Sequence, residues 1–118
     1  PAPLTPMRRA ISLLLQHPEL AHNIENLDPL RTSQVHGKDV LVDLLELCRS
    51  AEGITTGVIL ERFREQGLYS ALEKLASHDH LLKSEALQST FQSLIASIEQ
   101  SAASSELDTL RLNQLLQR

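Results

Sequence analysis

The side chains able to do chemistry in this 118-residue chain are few and scattered. His78, Asp79 and His80 stand together as "HDH" and invite a metal reading, but residues i and i+2 of a helix point about 200° apart, so on a helix end the two imidazoles diverge. His17 and His22 have no carboxylate or thiol at ligand spacing, and no CxxC or HExxH is present to hold zinc. Asp43 with Glu46, and Glu61 with Glu65, lie on segments whose other faces are apolar, the pattern of solvated helix faces. Cys48 falls within an apolar arc, where a buried, inert thiol is expected. The four glycines, Gly37, Gly53, Gly57 and Gly67, are isolated and make no phosphate loop. Nothing assembles into nucleophile, base and orienter. No catalytic residue, metal site or cofactor is expected, and this chain reads as a non-enzyme.

One feature is chemically odd. "TPMRRAISLLL" opens a helix well, with Thr5 to cap the first amides and Pro6 preset for the first turn. Arg8 and Arg9 then place two cations at the positive end of the helix dipole, where each costs a few tenths of a kcal/mol, up to about 1. Either they are solvated and paired with an acidic neighbour from another helix, or an anion visits.

The elements that must position these residues are helical almost throughout. Apolar residues make up 42% of the chain and aromatics only 3%, with no tryptophan, so the core is one of Leu, Ile, Val and Ala. The net charge of −4 argues against a generic nucleic-acid sheath. No apolar run approaches the roughly 20 residues of a membrane span, and no membrane association is expected. A single cysteine excludes an internal disulfide and fits a reducing, cytoplasmic setting. "PAPLTP", without an initiator methionine, reads as a linker end (1–5) on a piece from the C-terminal side of something larger.

A first helix is expected over Pro6–Gln16, broken by Pro18, which starts a short second one through Ala21 and Ile24. "ENLDPL" reads as a loop with an Asp-Pro turn. Val40–Ser50 is apolar over well over half its circumference and is expected to be the central helix. Thr55 or Thr56 caps a fourth helix bounded by Gly53 and Gly67, and "LYSALEKLASHDH" supplies a fifth. These give a compact multi-helix bundle over 6–82 in an all-α fold. From 83 to 118 a short helical hairpin is expected. Leu87, Phe91, Leu94, Ile95 and Ile98 make a narrow seam for one neighbour, "SAASSE" breaks the helix, and Ser105 with Asp108 caps a last one. On that last helix Leu107, Leu110, Leu112, Leu115 and Leu116 spread over about 240°. Either it docks into the bundle or it offers leucines to another protein.

In order and spacing, "TPMRRAISLLLQHPEL", "LLELCRS", "GITTGVILERF", "LEKLASHDHLL" and the closing "LNQLL" resemble the C-terminal helicase-binding domain of bacterial DNA primase. The resemblance runs from Leu4 to about Ile98, and the stretch between Ile98 and Leu112 is shorter than in better-known members, so the hairpin should be stubby. In that family zinc-binding and RNA-polymerising domains lie upstream, and neither is recognisable in this sequence. The resemblance implies a bundle and hairpin that bind the N-terminal region of the replicative hexameric helicase, with Leu107, Leu110, Leu112, Leu115 and Leu116 as the candidate contacts. It also implies a pocket for the acidic C-terminal tail of single-strand DNA-binding protein, made by Thr5, Met7, Arg8, Ile11, Lys74 and Leu75. On that reading the cations of the first helix meet an anion, and direct nucleic-acid contact is not expected. The competing reading is a small all-helical nucleic-acid-binding or regulatory module with Arg8, Arg9, Arg62, Arg64 and Lys74 on phosphate.

Overall fold

The structure, a computed structural model, describes residues 4–116, and the side chains of residues 4–100. It is all-α, as the periodicity implies: α1 Pro6–Gln16, a 3₁₀ helix Pro18–Asn23, α2 Asp28–Arg31, α3 Lys38–Ser50, α4 Thr56–Arg62, α5 Tyr69–Ala76 and α6 Ser84–Leu116.

The first helix starts as its sequence dictates. Thr5 has an extended backbone, and its Oγ1 accepts from the Arg8 amide at 3.2 Å, with Pro6 supplying the first helical φ. Pro18 cannot continue the α-helical ladder, and the chain tightens into the 3₁₀ helix. Thr55 caps α4 in the same way as Thr5 caps α1, accepting from the Val58 amide.

Three expectations are corrected. The Asp-Pro pair of "ENLDPL" is not a plain loop turn; it opens the short α2, because proline is tolerated in a first helical turn where its missing amide is not needed. The centre of the bundle is α1, not the Val40–Ser50 segment. Helix α1 packs against α3, α4, α5 and α6, and residues 10 through 15 are all buried, whereas α3 meets α1, α2 and the 3₁₀ helix. The break at "SAASSE", and with it the short hairpin, is absent: α6 is one 33-residue helix. The reason is compositional. The stretch has no proline or glycine, and serine costs only about half a kcal/mol relative to alanine.

The narrow seam of α6 is where the pattern puts it. Phe91, Ile95 and Ile98 are buried, Leu87 and Leu94 partly so, and the helix lies along α1. Leu107, Leu110, Leu112, Leu115 and Leu116 lie outside the described side chains. No helix of the described residues is long and apolar enough to cross a membrane.

Candidate functional site

The first turn of α1 forms one wall of a groove of about 540 Å³. Thr5, Pro6, Met7, Arg8 and Ile11 come from that helix and its cap, Leu68, Leu72 and Leu75 from α5 and its cap, Ile98 from α6, and Val35, His36, Gly37 and Val40 from the turn into α3. Met7, Ile11, Leu72 and Ile98 are buried and make an apolar floor; Thr5, Arg8 and His36 are exposed at the rim. No carboxylate is among the described residues that line it, although the chain as a whole is acidic.

Five of the six residues assigned to a tail pocket, Thr5, Met7, Arg8, Ile11 and Leu75, meet in this one groove. Lys74 does not line it; it is exposed on α5 beside Leu75. Sequence reasoning missed Pro6, Val35, His36, Gly37, Val40, Leu68, Leu72 and Ile98 as groove residues. Leu72 was readable, one helical turn before Leu75 on the same face. The 35–37 turn has no periodicity to place it. The close approach at Gly37 has a physical reason: its φ is +93°, and a Cβ there would lie 3.1 Å from Met7 Cγ.

The two arginines of the first turn part company. Arg8 stands on the groove rim, and its guanidinium forms no ion pair or hydrogen bond among the described residues. Arg9 is half-buried and lies close enough to His80 to disfavour its protonation. Among the described residues, pairing with an acidic neighbour therefore does not account for Arg8. The other cations considered for phosphate are differently placed. Arg64 is bound by Glu61 at 2.8 Å and stacks over Tyr69, 4.0 Å from the ring centroid. Arg62 lines a separate, open hollow beside Asp43 and Glu46. Glu46 is itself engaged by Arg31 at 2.7 Å.

At the far end of α1 the polar side chains Ser12 and Gln16 have partners in the fold. Buried Ser12 donates through Oγ to the Leu75 carbonyl at the end of α5, and His80 Nε2 lies 2.7 Å from the same Oγ. Gln16 Nε2 donates to the carbonyls of Ala76 at 3.0 Å and His78 at 2.6 Å, and Thr56 Oγ1 donates to the Leu15 carbonyl at 2.6 Å. Helix α5 ends at Ala76, so "HDH" lies on a loop and not on a helix end. The expected divergence of the two imidazoles fails for that reason: their centroids are 4.9 Å apart. His80 serves the Ser12 contact, and no group of three or more metal-binding side chains converges among the described residues. Partial burial, then the neighbouring His78 and Arg9, hold His80 below the usual imidazole range, with Asp79 acting the other way and His17 adding a smaller push down. Cys48 is 1% exposed, and burial, helped by Glu19, pushes its thiol up to about 11.

Residues 7–118 match the family model described as "DNA primase DnaG DnaB-binding". The chain is 44% identical over 110 residues to a DNA primase of Pasteurella multocida, covering 93% of this chain and 19% of that protein. It is 36% identical over 87 residues to a DNA primase of Escherichia coli K12, covering 74% of this chain and 15% of that one. It thus spans a fifth or less of the length of these curated relatives. Among solved structures it is similar to the DnaG primase C-terminal domain from Vibrio cholerae, with a TM-score of 0.77 and 30% identity over 94% of this chain and 80% of that one.

Proposed function

The chain belongs to the DNA primase DnaG DnaB-binding family, and from that premise we propose that it holds a bacterial DNA primase, a DNA-dependent RNA polymerase, at the replicative hexameric helicase, so that primer synthesis begins at the replication fork. It does so by two contacts. Leucines among Leu107, Leu110, Leu112, Leu115 and Leu116 meet the N-terminal domain of the helicase, and the groove at the start of α1 takes the acidic C-terminal tail of single-strand DNA-binding protein. The observation that carries the second contact is Arg8: a cation without a partner among the described residues, at a helix N-terminus, on the rim of an apolar groove that no carboxylate among those residues lines.

The chemistry of such a tail suits the groove. An apolar terminal side chain settles over Met7, Ile11, Leu72 and Leu75. Its carboxylate meets the Arg8 fork and the positive end of α1. Lys74, outside the groove, adds long-range attraction to the acidic residues upstream.

Co-elution of the domain with the helicase N-terminal domain tests the first contact. Two charged replacements among the five leucines should abolish co-elution while leaving the helical circular dichroism unchanged; loss of helicity would instead make those leucines part of the fold. For the second, calorimetry with an acidic peptide ending in an apolar residue should show Arg8→Ala weakening binding by about 1–3 kcal/mol. Equal affinities would refute the clamp. A nucleic-acid-binding module would instead bind DNA with an affinity falling steeply with salt.

A further inference from the structure

We infer that His36 is a second cation of the groove and makes its hold on an acidic tail tighten as pH falls. This rests on the tail-binding reading above and adds to it a residue from a different wall and a dependence on protons. Of the described residues lining the groove, two carry ionisable side chains: Arg8, from the first turn of α1, and His36, from the turn into α3. His36 is exposed, and its ring makes no hydrogen bond or ion pair among the described residues. It also lines the adjoining hollow of about 430 Å³ together with Lys38 and Asp39.

Its position is fixed by the backbone beside it. Gly37 takes a positive φ and packs against Met7, so the turn is pressed onto the groove floor and His36 is held at the rim. The charged groups around it can be named from each element. Helix α1 brings Arg8. Helix α3 brings Lys38, which donates to the Arg31 carbonyl at 2.6 Å and pairs with Asp39 at 3.3 Å, and Asp39 itself. From α5 and its cap come Leu68, Leu72 and Leu75, and from α6 Ile98, none of which titrates. The Asp39 carboxylate is already engaged by Lys38. A tail carboxylate seated in the groove beside His36 interacts more strongly with a charged ring than with a neutral one, so a proton is taken up as the tail binds. By linkage, protons then strengthen binding. A histidine is suited to this because its charge changes between pH 5 and 8, where tail carboxylates stay ionised.

The test is calorimetry with the acidic peptide at about pH 8 and about pH 6, in buffers of different ionisation enthalpy to count protons taken up. Wild type should bind about two- to fivefold more tightly at the lower pH, the scale of one exposed ion pair, with net proton uptake. His36→Gln should bind with the same affinity at both values and without that uptake. Arg8→Ala should bind more weakly at both and keep the dependence on pH. A flat wild-type profile, or a dependence that survives in His36→Gln, overturns the role of His36 and leaves the Arg8 contact standing. Failure of wild type to bind at either pH overturns the tail reading and this inference together.

Discussion

At the C-terminal end of α1, Ser12, Leu15 and Gln16 are tied by hydrogen bonds to α4, to α5 and to the loop that follows it. At the N-terminal end, one turn away from the same core, the Arg8 side chain is tied to nothing among the described residues and faces an open groove. Both ends are helix termini with polar groups to satisfy. The difference lies in where satisfaction comes from: inside the fold at one end and, on the function proposed above, from a bound tail at the other. Polar residues in the fold-building end should therefore cost stability when removed, and those at the open end should cost binding.

The buried middle of α1 sets the upper limit for this contrast. Leu14 is fully buried, and Leu14→Ala should lower unfolding free energy by about 2–5 kcal/mol in denaturant titration, because both transfer energy and packing are lost. Ser12→Ala should cost about 1–3 kcal/mol, since it strands the Leu75 carbonyl and the His80 ring in a half-buried setting. A loss near zero would erase the contrast between the two ends. The same end should respond to acid. His80 is held below its ordinary 6.5, so the fold favours the neutral ring. Its contribution is complete above that value and is lost as pH falls toward the lower folded value. Denaturation across about pH 5 to 8 should show this decline, reduced in His80→Gln. The smallest effect belongs to the open end: Arg8→Ala should leave stability unchanged or raise it by a few tenths of a kcal/mol, because the helix dipole opposes that charge. A clear loss of stability would make Arg8 a structural residue and remove the distinction.

Much of this arrangement is legible before any coordinates. Thr5 and Pro6 place the start of α1, and Pro18 its end, because caps and prolines act locally. The seam of Phe91, Ile95 and Ile98 follows from helical spacing alone. What could not be read were relations between segments. Nothing in the breadth of the Val40–Ser50 apolar arc tells that α1, with Ser12 inside its buried run, occupies the centre. Periodicity scores Ser12 as polar, while its burial depends on a carbonyl 63 residues away. The 35–37 wall of the groove escaped for a similar reason: Gly37 is informative only once Met7 lies against it. Serine and alanine at 101–105 looked like a break because serine is a frequent cap, but the same residues propagate a helix when neither glycine nor proline intervenes.

The buried thiol of Cys48, pushed up to about 11, has a practical side. At neutral pH it remains protonated and shielded from maleimides and disulfide reagents, and the chain has no tryptophan to complicate its emission. A cysteine introduced on the exposed turn, for example Gln34→Cys, would then be the handle a dye finds first. The wild-type chain thus arrives prepared for single-site labelling, and a fluorophore beside the groove would report occupancy without tryptophan background.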